Sequence, residues 1–487
     1  MPSIGEALQA AIAHHKAGNL AEAERLYRRI LAVDPRHADS LHLLGVIAFH
    51  AGRPDAARAL IEQAIGINAA VPEYFNNLGN VLKESGGGDA QALAAYRRAL
   101  SLRPDFVDAH YNLGNAHAKE ERLEEAVECY RAALRLAPGH AGSWMNLGNT
   151  LRSLGRIDEA LDCYRRVPRA SPVHPEARWN QAIARLLGGD LARGWEDYES
   201  RWDLERAKPL RRNFGRPAWD GAKAKGKRIL LHAEQGLGDT LQFIRYAALV
   251  KQRGLNVLLE CPAPLQSLLA RAPGVAQAFA TGEALPEFDL QLPLLSLPRL
   301  FGTTLQSIPA PRSYLTPDPS LARKWKAKLG AAGKSLRVGL AWAGGTSDRK
   351  RDCGLAALAP LAAARDAVAF YSLQKGEAAA QAATPPAGMK LVDLSAELKN
   401  FADTAALIGQ LDLVISTDTA VPHLAAALGK PTWILLRYAP DWRWLLGRDD
   451  SPWYPTARLF RQPRPGDWAE PIERAARALR SFRRSGA

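Results

Sequence analysis

Four short stretches collect the residue types that bind or move charge. STDTAVPHL (416–424) sets Ser416, Thr417, Asp418, Thr419 and His423 together. GLGDT (236–240) brings two glycines to an aspartate, Asp239. AGGTSDRKRD (343–352) carries Arg349, Lys350 and Arg351, and SLQKG (372–376) carries Gln374 and Lys375. Each has a chemical reading and a structural one. Asp239 can take a proton from a hydroxyl, or it can cap a helix. Gly238 lets backbone approach a ligand, and GLGDT lacks both the third glycine of a dinucleotide fingerprint and the GK[ST] of a P-loop. Arginine forks can neutralise a diphosphate leaving group, or form a solvated basic loop. Asp418 or Thr419 can cap a helix whose first amides, near Ala420 and Val421, then offer an anion site. His423, in the first turn, can donate to a phosphate or ribose oxygen, or serve structure alone.

These stretches follow strand-like runs. After a basic, non-periodic segment (206–226, read as a linker), β-type runs alternate with helical ones, the mark of parallel α/β units. The runs are RILLHAEQ, NVLLECP and FDLQLPLLSLP in one half (227–330), then LRVGLAWAGG, AVAFYSLQKG, KLVDLS, LDLVISTDTA and PTWILL in another (331–487). PLQSLLARAPGV is read as a helix, and PIERAARALRSF as a final helix packing back across the first half. Two Rossmann-like halves bind small ligands at the carboxyl ends of their strands, where the four stretches fall. Trp442, Trp444, Trp453 and Tyr454 in YAPDWRWLLGRDDSPWYP (438–455) suit core packing under a loop, or a lid.

The first two hundred residues are periodic. NLGN recurs at 77–80, 112–115 and 146–149; Gly45, Gly79, Gly114 and Gly148 step by 34 or 35; Pro104, Pro138 and Pro172 step by 34. Tyr27, Tyr96, Tyr130 and Tyr164 share a phase, as do Ala92, Ala126 and Ala160. This pattern resembles the tetratricopeptide repeat. Five units fit at 4–37, 38–71, 72–106, 107–140 and 141–174, with an extra residue near Gly86–Gly88. A degenerate sixth unit, about 175–205, closes the solenoid as terminal repeats must, giving a solenoid over 4–205. Asn77, Asn112, Asn146 and Asn180 hold one phase, which by the family resemblance lies on the concave face. There a ladder of amides can hold the backbone of an acceptor protein, or stabilise its own helices. On the first reading, Asn112→Ala with Asn146→Ala weakens acceptor binding and leaves thermal stability nearly unchanged.

Composition narrows the classes. The 487 residues are 47% hydrophobic and 23% charged, as in globular domains. The charge of +14 comes largely from dispersed arginines, without a nucleic-acid motif. Cys129, Cys163, Cys261 and Cys353 form no CxxC or zinc-finger spacing, so no metal site is expected and a reducing compartment fits. There is no signal-like N-terminus and no apolar run near the ~18 residues of a membrane span. A cytoplasmic protein is expected.

PAWDG, HAEQGLGD, GLAWAGG, YSLQKG, STDTAVPHLAAALGKPTWILL and PDWRWLLGRDDSPWYP together resemble bacterial tetratricopeptide-repeat glycosyltransferases. Their catalytic part is similar to the ADP-heptose:lipopolysaccharide heptosyltransferases, over about 217–480. The resemblance implies an α-solenoid followed by a GT-B fold, and inverting, metal-independent transfer from a nucleotide-activated sugar with no further cofactor. It implies that Asp239 is the base. Asp418, Thr419 and His423 match the donor-binding D-[ST]-G-x-x-H segment, with Ala420 where glycine is frequent. The basic donor-loop residue maps onto Arg349 to Arg351. Gly238, Gln374 and Lys375 fall on the donor side. The expected activity is sugar transfer to a hydroxyl of a protein held by the solenoid. Flagellin is a plausible client, because solenoid-bearing relatives modify flagellins. The competing readings are an enzyme of lipopolysaccharide or glycolipid assembly, and an adaptor with an inactive catalytic region.

Overall fold

The structure, a computed structural model, describes residues 3–85, 88–330, 335–345, 349–364 and 367–483. The chain divides into two compact units, Met1–Ala177 and Arg178–Ala487.

The first unit is a run of helix pairs: α1 (Ile4–Lys16) with α2 (Leu20–Val33), α3 (Ala38–His50) with α4 (Pro54–Ile67), α5 (Pro72–Glu84) with α6 (Asp89–Leu102), α7 (Val107–Lys119) with α8 (Leu123–Leu136), and α9 (Ala141–Ser153) with α10 (Ile157–Arg166). The repeated glycines and tyrosines explain the pairing. A Cβ on Gly79, Gly114 or Gly148 would lie 2.5, 2.7 or 2.6 Å from the ring of Tyr96, Tyr130 or Tyr164. No side chain fits there, so the two helices close onto the ring. Each tyrosine hydroxyl then donates to the last asparagine of its own NLGN: Tyr96 to Asn80 (2.9 Å), Tyr130 to Asn115 (2.8 Å) and Tyr164 to Asn149 (2.9 Å). A buried hydroxyl needs such a partner. Of the extra residue expected near Gly86–Gly88, Gly86 and Gly87 lie outside the described residues.

The second unit begins with α11 (His174–Leu187), which starts just before the boundary, and α12 (Leu191–Tyr198). The helix pair read as the solenoid's sixth unit is present, but α12 is built into the second unit. Trp195, 1% exposed, packs edge-on against Phe243, Trp442 and Trp453. Arg201, just beyond, pairs with buried Glu234 at 3.2 Å. The stretch read as a linker is likewise laid against this unit. Arg212 pairs with Glu260, and the Trp219 amide donates to Gln291 at 3.0 Å.

Two parallel sheets follow. The first holds β1 (Arg228–His232), β2 (Asn256–Cys261), β3 (Val275–Ala280) and β4 (Leu290–Pro293), in the order β3-β2-β1-β4. The second holds β5 (Leu336–Ala341), β6 (Val368–Ser372), β7 (Leu391–Asp393), β8 (Leu413–Thr417), β9 (Thr432–Leu436) and β10 (Ala457–Arg461), in the order β10-β9-β8-β5-β6-β7. In each, the chain runs outward from one strand and then returns to its other side. The crevice at such a switch opens beside β1 in the first sheet, and between β5 and β8 in the second. GLGDT, AGGTSDRKRD and STDTAVPHL leave those three strands. The final helix, Ala469–Ser481, differs from the expectation. Ile472, Ala475, Ala476 and Leu479 bury into the second sheet's own core with Leu336, Leu413, Leu435 and Phe460, not across the first half.

Candidate functional site

GLGDT becomes the start of α13 (Leu237–Phe243), with Gly236 as its N-cap. Asp239 is therefore not the cap. It stands one turn in and reaches back, its Oδ2 accepting the Gly236 N–H at 2.9 Å. Its Oδ1 accepts from Nη2 of Arg443. Gly238 is explained by close approach, because a Cβ there would meet His423 Cδ2 at 2.9 Å.

STDTAVPHL leads from β8 into the helix Ala420–Ala427, and Thr419 is the cap, its side chain accepting the Val421 N–H at 3.2 Å. That frees Asp418 from capping, and Asp418 is nevertheless buried, 9% exposed. His423 Nδ1 shares a hydrogen bond with the Tyr454 hydroxyl at 2.8 Å, and its ring stacks on Trp444. The aromatics of 438–455 are thus core. Trp444 and Tyr454 back the histidine, and Trp442 and Trp453 pack with Trp195 and Phe243.

One cavity of about 380 Å³ brings these strand ends together. Its wall includes Gly238, Asp239, Arg351, Asp418, Thr419 and His423, joined by Asp441 and Arg443. The remaining expected donor residues stand elsewhere. Arg349 forms an exposed ion pair with Glu377 at 3.2 Å. Lys375 donates to the Ser395 carbonyl at 2.7 Å. Gln374 is buried, accepting from the Trp342 and Ala343 amides and donating to the Ala343 and Lys375 carbonyls. It fixes the backbone after β5 and lends nothing to the cavity surface. Residues 346–348 of the basic loop lie outside the described residues.

Burial governs the charges. It pushes Asp418 up to about 6, helped by the negative charge of Asp441. It also raises Asp239, with Arg443 pulling the other way. Burial would raise Asp441 too, but charge and hydrogen bonds from Arg443 outweigh it and leave that carboxyl below its ordinary range. Burial and the nearby Arg443 cation push His423 down to about 3, so it is a neutral imidazole offering hydrogen bonds, not charge. Arg443 is the residue sequence reasoning missed. Its Nη1 donates to Asp441 and its Nε to Gln242, both at 2.7 Å. The available signal was a charged pair, Asp441 and Arg443, set among tryptophans that otherwise pack.

On the repeats, the first NLGN asparagines are already engaged. Asn77 Nδ2 meets His42 Nε2 at 2.8 Å. Asn112 donates to Asn76 at 3.0 Å, and Asn146 to Asn115 at 2.8 Å. All three are half-buried and use their amide nitrogens between repeats. Asn180 is half-buried on α11, in the second unit.

Residues 8–73 and 79–141, and separately 118–186, match tetratricopeptide repeat families, and residues 355–461 match glycosyltransferase family 9 (heptosyltransferase). The chain is 29% identical to Protein FlbA of Caulobacter vibrioides over 97% of its own length and 83% of that protein's. It is 35% identical to human tetratricopeptide repeat protein 7B over 18% of its own length and 10% of that protein's. Among solved structures it is similar to MamA (23% identity, TM-score 0.30, covering 32% of this chain and 91% of that one). It is also similar to YrrB, a TPR protein with an unusual peptide-binding site (23% identity, TM-score 0.30, 36% and 90%). Tetratricopeptide repeats thus precede a heptosyltransferase-like glycosyltransferase region in this chain.

Proposed function

We propose that this glycosyltransferase moves a sugar from a nucleotide-activated donor onto a hydroxyl of a protein held by its repeats. One observation carries the reading: Asp239, Arg351, Asp418, Thr419 and His423, drawn from three strand ends on two sheets, meet at a single cavity. Asp239 accepts the acceptor's hydroxyl proton as the new C1–O bond forms. The C1–O bond to the diphosphate breaks on the opposite face, inverting the anomeric carbon, and the nucleoside diphosphate leaves with the bonding pair. Arg351 and the first amides of the Ala420–Ala427 helix receive its charge. His423 contributes a neutral hydrogen bond. No metal is assigned to the step. A protein acceptor is favoured because Asn77, Asn112 and Asn146 stand half-buried at one phase of successive repeats, on α5, α7 and α9. Flagellin is the candidate client, and the reaction is placed in the cytoplasm. No described helix is long and apolar enough to cross a membrane.

Asp239→Ala abolishes transfer and leaves nucleotide diphosphate binding in place. The measurement is the intact mass of candidate proteins co-expressed with the wild type or the variant, with calorimetric titration of UDP, ADP, GDP and CDP alongside. Unchanged mass addition by the variant removes Asp239 from the base role. A sugar found on lipid, with none on protein, replaces the acceptor class.

A further inference from the structure

Arg443 is buried at the join of the two halves, with every nitrogen directed at an acceptor on a different residue. Nε donates to Gln242 Oε1 at 2.7 Å, Nη1 to Asp441 Oδ1 at 2.7 Å, and Nη2 to Asp239 Oδ1. Its guanidinium lies 4.4 Å from the Trp442 ring centre. Asp441 caps the short turn Trp442–Trp444, accepting the Arg443 amide at 3.1 Å. The side chain therefore has one arrangement, set from the second half by Asp441 and Trp442 and from the first by Gln242. Asp239, in turn, has one donor on each oxygen, Arg443 and the Gly236 amide. A carboxylate has about four acceptor positions. Two are used to aim it, and two are left for a substrate hydroxyl at the cavity.

We propose that Arg443 is a positioning residue for the transfer step: it holds the Asp239 carboxylate in a single orientation and in its ionised form inside a wall that would otherwise favour the neutral acid. This rests on the reading of Asp239 as the base. Asp239 sits in a crowded field. Asp441 disfavours its charge, Arg443 and Arg351 favour it, its own charge in turn raises Glu234 and Tyr198, and His423 is neutral. Among these, Arg443 is bonded to it directly. A planar fork fixes orientation, as a lysine's point charge cannot. The cation assigned to the diphosphate is Arg351, while the Arg443 nitrogens are directed at Gln242, Asp441 and Asp239, so its effect on the base is separable from donor affinity.

The test uses the full chain labelled with [13Cγ]aspartate, with the Asp239 resonance assigned by its loss in Asp239→Asn. In Arg443→Gln the Asp239 titration midpoint moves up by at least about one pH unit, the scale of a lost close ion pair. UDP, ADP, GDP and CDP, titrated by calorimetry, keep their affinities within about threefold, roughly 0.7 kcal/mol by the tenfold-per-1.4 kcal/mol rule. Mass addition to a co-expressed acceptor falls with the variant and recovers in part as the assay pH is raised. Arg443→Lys, which keeps the cation, gives a smaller upward shift and is read alone if Arg443→Gln does not fold. An unmoved midpoint overturns the inference. So does a tenfold or greater loss of nucleotide affinity with the midpoint unchanged, since Arg443 would then be a donor contact. Asp239→Asn separates the two levels. If that variant still transfers sugar, the base reading fails. If it does not, and the midpoint in Arg443→Gln is unmoved, only the positioning role fails.

Discussion

Asp239, Asp418, Thr419 and His423 were readable from the sequence because each stands within a few residues of a strand's end, where α/β sheets present ligands. Arg443 was not, because its contact with Asp239 spans 204 residues and no local spacing announces it. Arg349 and Lys375 do not line that cavity, Arg349 facing Glu377 and Lys375 the Ser395 carbonyl, and a basic loop looks the same in sequence in either place. Two predictions belong to single residues. Gly238→Ala places a methyl 2.9 Å from His423 Cδ2, against a ring already fixed by Tyr454 and Trp444. Overpacking of this kind costs about 1–3 kcal/mol of stability, so the variant unfolds at a lower temperature in a thermal melt. Glu234 carries the second. Burial pushes it up to about 7 from the usual 4.5, against the pull of Arg201, and its Oε2 has no hydrogen-bond partner among the described residues. The folded chain therefore holds this proton more tightly than the unfolded one. The resulting stability is fully present below about pH 4.5 and is lost as pH rises to about 7. Glu234→Gln removes that loss, worth at most roughly 3 kcal/mol at about 1.4 kcal/mol per pH unit. Thermal melts at pH 5 and pH 8 show a smaller drop in the variant than in the wild type.

At the scale of elements, strands with Val, Leu and Ile runs were legible, and those without were not. β3 is VAQAFA, alanine-rich, and only its first residue, Val275, falls in the run read as the preceding helix, the rest going unread; β10 is ARLFR, two of five positions charged, and also went unread. Both are edge strands of their sheets, where one flank lacks a neighbour and the hydrophobic signal thins. The repeats were legible because one geometry is written several times. What periodicity could not reveal is that the asparagines are structural as well as available. Asn115 accepts from both the Tyr130 hydroxyl and the Asn146 amide, each at 2.8 Å. Asn115→Ala strands a buried hydroxyl and costs about 1–3 kcal/mol, seen as a lowered unfolding midpoint. Asn146→Ala also loses bonds, to Asn115 and Tyr111, so it lowers stability by about 1 kcal/mol. The expectation of nearly unchanged stability therefore does not stand for that variant.

For the whole molecule, the division at Ala177 and Arg178 places α12 with the sheets. Sequence reasoning assigned that helix pair to the solenoid because helical periodicity cannot say which neighbour buries a face. Truncation distinguishes the two. A fragment beginning near residue 174 keeps Trp195 beneath Trp442 and Phe243, and keeps Arg201 on Glu234, and it expresses as a cooperatively folded protein. A fragment beginning at residue 206 exposes that aromatic cluster and leaves Glu234 without its cation. It aggregates or melts far lower, as differential scanning calorimetry reports.

The glycine beneath each repeat tyrosine bears on how such a chain can change over generations. Neither member of a Gly79–Tyr96 pair can be replaced alone without a clash or a void, so point mutation explores this surface slowly. Copying is the easier route. A duplicated stretch of 34 residues carries its own glycine, its own ring and its own asparagine acceptor, complete in itself. The solenoid can therefore lengthen in whole steps by unequal recombination, while the strand-end residues of the second unit are inherited untouched.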